Sequence, residues 1–201
     1  MTGRAVLTEK NRWRTALVAA RRALPPPVRA ARAAALARAA VRLAARTGGP
    51  VCAYLPVGSE PGSPELVDAL RAAGHRVLLP VVPPTPDRLD WAEYTGPASL
   101  AAGPLGLREP TGPRLGSAVV ADARLVLVPG LAADRTGVRL GRGGGYYDRT
   151  LPLVGAEVPV VVVLNDEELV ERLPAEPHDR RVTGALLPDA GHTPLGNNRF
   201  P

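Results

Sequence analysis

The chain has 201 residues, 45% of them hydrophobic, a single cysteine and a net charge of +6, which is enough for one ordinary globular domain with its own core. One cysteine excludes an intramolecular disulfide framework, no apolar run approaches the ~20 residues of a membrane span, and the amino terminus lacks the apolar stretch of a secretory signal; a cytoplasmic monomer is expected. The basicity is local: residues 1–48 hold 11 of the 25 Lys+Arg residues against Glu9 alone, net +10, whereas the rest holds 14 against 18 acids, net −4, so the excess belongs to an amino-terminal segment with an anionic partner or to a solvated helix face.

In chain order, Thr8 is placed to cap a first helix running to about Leu24, with Trp13, Leu17 and Leu24 in partial apolar spacing. Lys10 is the one lysine among the 25 basic residues. Its retention is either chance or a functional need: it lies one turn from Arg14, so the two share a helix face and can converge on a polyphosphate, where a compact ammonium fits and a planar fork does not. Pro25 to Pro27 break that helix and open a second, alanine-rich one that ends before Gly48 and Gly49. From Val51 short apolar strands alternate with helices. Residues 51–56 read as a strand, Ser63 to Arg71 as a helix closed by Gly74, and 76–82 as the next strand, together a βαβ unit. A proline-rich connector leads to a strand at 89–95, and 98–114 reads as a loop over a site. A buried strand from Leu125 to Val128 precedes a glycine-rich run, after which come a helix past Asp148, a strand at 158–164, a short helix from Asp166 to Leu173 and a strand at 181–187. Residues 1–190 read as a single α/β domain and 191–201 as a disordered tail.

The glycine-rich run, RLGRGGGYYDR at 139–149, is the most unusual stretch. Glycines bring backbone N–H groups close to an anion, and Arg139 and Arg142 add charge. Tyr146 and Tyr147 are two of only seven aromatic residues, and paired rings beside an anion loop point to a flat ligand. The two common nucleotide fingerprints and the GxSxG nucleophile elbow are absent. Asp148 can face the phosphates as a magnesium ligand or complement a helix terminus. His75, His178, His192 and Cys52 are too scattered for zinc, which leaves a hard cation held by carboxylates and phosphate.

The run RLGRGGGYYDRTL resembles the signature of the 5-formyltetrahydrofolate cyclo-ligases, also called 5,10-methenyltetrahydrofolate synthetases. The resemblance extends to the K-x-x-x-R pair at Lys10 and Arg14, YLPVGSEPGS at 54–63, the LREP segment around Glu109, VLVPGLAAD before the loop and PAEPHDRRVT at 174–183. It implies a Rossmann-like, CoA-transferase-like three-layer α/β sandwich with a mainly parallel sheet and an amino-terminal helical hairpin. It also implies an ATP- and magnesium-dependent closure of 5-formyltetrahydrofolate to 5,10-methenyltetrahydrofolate through a phosphorylated formyl group. Carried over by position, ATP falls to Lys10, Arg14, Arg139, Leu140, Gly141, Arg142, Gly143, Gly144, Gly145, Tyr146 and Tyr147, with Lys10, Arg142 and Tyr146 at the chemistry. Folate falls to Arg14, Val57, Glu60, Gly62 and Tyr146, and magnesium to Asp148 and Asp179. Some members have lysine at the place of Gly144, and many have an acidic or polar residue at that of Gly62. The competing readings are a paralogue acting on another folate or nucleotide, and a basic nucleic-acid-binding protein.

Overall fold

The computed structural model describes residues 3–85, 87–176 and 179–196. Its helices are α1 (Gly3–Ala23), α2 (Pro26–Thr47), α3 (Pro64–Ala72) and α4 (Tyr146–Thr150); its strands are β1 (Val51–Cys52), β2 (Val77–Val81), β3 (Asp90–Glu93), β4 (Leu100–Ala102), β5 (Arg108–Pro110), β6 (Leu125–Pro129), β7 (Ala132–Asp134), β8 (Arg139–Leu140), β9 (Val160–Val163), β10 (Leu169–Val170), β11 (Gly184–Leu187) and β12 (Gly191–Pro194). Seven strands form the main sheet in the order β12-β11-β9-β6-β1-β2-β3. Its five central strands run parallel, and β3 and β12 close the edges antiparallel.

Runs such as Leu125–Val128 and Val160–Val163 are apolar without interruption because both faces of the sheet are covered. Alternate residues divide between two cores. Leu125, Leu127, Val161 and Val163 pack with α2 and α3, while Val126, Val128, Val160 and Val162 pack with Trp91, Val120, Leu151 and the two tyrosines of α4. The result is the three-layer, mainly parallel α/β arrangement expected of the sequence. The helices on either side of Pro25 divide their work. The alanines of α2, among them Ala33, Ala37, Ala40 and Ala44, let that helix sit on the main sheet. Trp13 and Leu17 of α1 pack instead with Ala132, Val138, Leu140 and Leu173 over a small sheet of order β10-β7-β8.

Several local expectations change. The first helix begins at Gly3, so Thr8 lies inside it rather than at its cap. Residues 166–173 form one 3-10 turn, Asp166–Glu168, followed by β10, in place of a helix. The stretch read as a disordered tail contributes β12, whose Gly191–Pro194 pair with β11; residues 197–201, like His178, lie outside the described residues. The 98–114 loop is the β4–β5 hairpin.

Cys52 is fully buried on β1, and burial pushes its thiol up to about 12 despite the opposing charge of Arg76. Since the thiolate is the nucleophile, native protein is expected to resist iodoacetamide at pH 8 and to take up one equivalent only in denaturant, as read by mass spectrometry.

Candidate active site

The carboxyl ends of the central parallel strands open onto a cleft of ≈ 250 Å³, where ligands bind in open α/β sheets. Tyr54, Leu55, Pro80, Val82, Leu89 and Tyr147 supply apolar wall, and Glu60, Arg108, Arg139, Arg142 and Asp148 supply charge. Val57, Gly141, Gly144, Gly145 and Tyr146 complete the part recognised in sequence, and Leu105 and Leu107 of the β4–β5 hairpin reach in from the side.

The glycine run joins β8 to α4. Gly143 and Gly145 take φ of 101° and 69°, conformations that a side chain strains, and Gly145 is the left-handed residue that starts α4. Gly144 has no such demand; a Cβ there would meet the Tyr146 ring at 3.2 Å. From α1, Arg14 Nε donates to the Gly141 carbonyl at 2.9 Å, and its guanidinium faces Gly143. Arg14 is thus a brace of the loop as well as a charge beside it. Behind α4, Thr150 Oγ1 donates to the Tyr146 carbonyl and accepts from Leu89 N, both at 2.8 Å, which ties the helix to the connector before β3.

Charge in the site is arranged in pairs. Arg139, with a side chain 4% exposed, donates from Nη2 to Asp148 at 3.0 Å and from Nη1 to the Pro129 carbonyl, and lies 5.7 Å from the Tyr147 ring centre. Arg142 Nε donates to Glu60 Oε1 at 3.0 Å, while Glu60 Oε2 accepts Val57 N. Lys10 Nζ donates to Asp179 and to Glu176, both at 2.8 Å. Burial alone would lower the Lys10 pKa, but the hydrogen bonds to Asp179 and Glu176 outweigh it and raise it above the usual 10.5. The Tyr147 hydroxyl is pushed far above the ordinary tyrosine value by burial and by Glu60, so it stays protonated. Arg149 lies 5.1 Å from the Tyr146 ring centre and donates to the Gly144 carbonyl.

Not every residue singled out in sequence lines this cleft. Lys10, Arg14 and Gly143 are not among its walls: Gly143 belongs to the loop, Arg14 braces it, and Lys10 is tied to Asp179 and Glu176. Leu140 is buried in the α1 cluster and offers a ligand only its backbone, which already accepts Leu131 N. Gly62 lies in a neighbouring cleft of ≈ 350 Å³ between α2 and the turn before α3, and Glu60 is the wall common to both. Its φ of 95° gives a backbone reason for glycine. Conversely, Glu176, Arg108 and Arg149 were not singled out. A carboxylate partner for the lone lysine was a legible need, and Glu176 lies three residues before Asp179; an exposed arginine on a hairpin carries no such signal.

Asp148 and Asp179 each accept from a cation, and among the described residues no three His, Cys, Asp or Glu side chains converge on a metal position. Asp148 lines the main cleft, whereas Asp179 lies in a separate one beside Val154, Arg180 and Thr183; a magnesium ion arriving on a polyphosphate needs only one or two protein carboxylates besides phosphate and water oxygens, and Asp148 is the one placed in the cleft to offer itself.

Fold and site together define an α/β protein with a glycine-rich, arginine-flanked loop beside an apolar, tyrosine-walled cleft. A profile of the 5-formyltetrahydrofolate cyclo-ligase family matches residues 6–188. The chain is 46% identical over 188 residues to a 5-formyltetrahydrofolate cyclo-ligase of Mycolicibacterium smegmatis, covering 90% of this chain and 95% of the relative. It is 31% identical over 140 residues to that of Escherichia coli, covering 69% and 77%. The NMR structure of Aquifex aeolicus 5,10-methenyltetrahydrofolate synthetase superposes with a TM-score of 0.75 at 25% identity over 96% of this chain and 95% of that one. The chain belongs to the 5-formyltetrahydrofolate cyclo-ligase family, a family of ligases.

Proposed function

We propose that the protein closes 5-formyltetrahydrofolate to 5,10-methenyltetrahydrofolate with ATP, releasing ADP and phosphate. One observation carries this reading beyond family membership. Three cations assigned to ATP each hold a carboxylate assigned to magnesium or to the pterin: Lys10 with Asp179, Arg139 with Asp148, and Arg142 with Glu60. Without ligand these charges compensate one another. An arriving nucleotide with its cation can replace each partner by one of like sign, so no charge is stranded in a buried site.

The chemistry asks for little covalent help from the protein. The γ-phosphoryl group passes to the formyl oxygen, N10 attacks the formyl carbon and loses its proton, and phosphate leaves with the former formyl oxygen. Phosphoryl transfer rests on positioning and on stabilising charge. The N–H groups of Gly141 to Gly145 with Lys10, Arg14, Arg139 and Arg142 supply both, and Tyr146 and Tyr147 present flat apolar walls to the pterin beside Val57 and Glu60. Asp148, in the cleft, would hold magnesium, which when bound neutralises charge on the phosphates; Asp179 is the second carboxylate that the family resemblance assigns to it. The apolar walls limit water at the cleft, which protects an activated formyl group.

Purified protein with ATP, magnesium and 5-formyltetrahydrofolate is expected to form the methenyl product, followed by its near-ultraviolet absorbance. Retained ATP binding without product would transfer the reading to a paralogue acting on another folate or nucleotide. The nucleic-acid alternative loses ground because Lys10, Arg14 and Arg21 spend their charge on carboxylates and carbonyls within the fold.

A further inference from the structure

Three basic side chains line the main cleft, and two are neutralised on the spot, Arg139 by Asp148 and Arg142 by Glu60. The third is Arg108 on β5. It is exposed, makes one long hydrogen bond of 3.4 Å to the Pro97 carbonyl, and has no carboxylate partner among the described residues. The lining therefore carries one uncompensated positive charge, on an element separate from the glycine loop.

The hairpin that bears Arg108 is fastened where it stands. Glu109 is buried and accepts Val82 N at 2.8 Å, just past the end of β2, and Gly103 leaves room for it, since a Cβ there would come within 2.7 Å of the Glu109 carboxyl carbon. At the tip, Leu105 is 75% exposed and has a φ of 58°. Among the described residues it is the one non-glycine residue with positive φ, a conformation that strains any residue with a Cβ. A strained, exposed leucine lining a cleft serves a ligand better than it serves the core. Leu107, half-buried, lines the cleft between it and Arg108.

We propose that Arg108 binds a carboxylate on the acidic tail of the folate, with Leu105 and Leu107 covering the ring that precedes it. The inference rests on the cyclo-ligase reading above. A folate ends in an aromatic ring followed by a glutamate, and the hairpin offers the cleft two apolar side chains and a cation. The phosphates of ATP already have the glycine loop, and a guanidinium fork matches a carboxylate.

The experiment compares 5-formyltetrahydrofolate with 5-formyltetrahydropteroate, which lacks the glutamate, in binding titrations and in turnover with ATP and magnesium. Arg108→Ala is expected to raise Kd and KM for the full substrate about fivefold, as suits an exposed charge pair. It should leave kcat, the KM for ATP and every constant for the truncated compound unchanged, while Arg108→Lys keeps most of the affinity. Equal weakening of both compounds, no weakening, or a loss confined to ATP overturns the assignment; the last would give Arg108 to the phosphates. Wild-type protein that neither binds nor converts the full substrate removes the cyclo-ligase reading and this inference with it. Wild-type turnover with an indifferent Arg108 removes the inference alone.

Discussion

Lys10→Ala is expected to lower kcat/KM for ATP by about two orders of magnitude, the usual loss when one positioned donor to transferring charge is removed, and also to destabilise the fold. The second effect follows from the pairing. Lys10 is 6% exposed and bridges Asp179 and Glu176, so its removal takes the bridging cation from between two neighbouring carboxylates, at about 3 kcal/mol, the low end for a broken buried pair. The two losses separate experimentally. Lys10→Arg restores charge to the carboxylates but not the point-like geometry, so it should recover stability more fully than ATP use. Wild-type kinetics in Lys10→Ala would return the lone lysine to a structural role. Because hydrogen bonds raise the Lys10 pKa above 10.5 despite burial, the stability it contributes is complete below that unfolded value and is lost as pH rises through the folded one. Activity is therefore expected to show no limb from Lys10 between pH 6 and about 10.

Arg21→Ala should produce the largest loss of stability, about 3–5 kcal/mol, or roughly 10 °C in Tm for a chain of this size. Arg21 is 1% exposed and Glu168 2% exposed. Their bond is bidentate at 2.6 and 2.7 Å, and Arg21 Nη2 also donates to the Gly130 carbonyl. Glu168 further accepts from the Asn165 backbone and side chain in a capping box. The network pins α1 to the chain just past β6 and β9. Alanine strands the Glu168 charge, whereas Arg21→Met with Glu168→Met removes both charges and should recover part of the loss in a double-mutant cycle, the Asn165 donors and the Gly130 carbonyl still losing their partners. A loss under 1 kcal/mol in the single variant would mean that the pair is weakly coupled to folding. Among the described residues Arg21 Nη1 is buried without a partner, which already reduces the benefit of the native pair.

Arg21 also shows where sequence reading stops. On a helix rich in arginine it reads like its neighbours on a wet face, because nothing local marks which of several cations will meet a carboxylate 147 residues away. The same limit hid Glu176 behind Lys10 and the place of Gly62 in a neighbouring cleft that shares Glu60 with the main one. The small sheet of β7, β8 and β10 escaped because strands of two or three residues carry no periodicity to read. The β12 strand was missed because Gly191 to Pro194 have little strand propensity of their own and are held by pairing with β11.

What the sequence determined by itself is local chemistry: the glycines that tolerate the backbone of the 141–145 loop, the apolar runs of a sheet covered on both faces, and the family signature in RLGRGGGYYDR. Only the tertiary structure decided which opposite charges meet. Lys10 with Asp179, Arg142 with Glu60 and, among the described residues, the lack of a carboxylate partner for Arg108 depend on chain segments brought together by core packing, and an ion pair has no sequence period through which it could be foreseen.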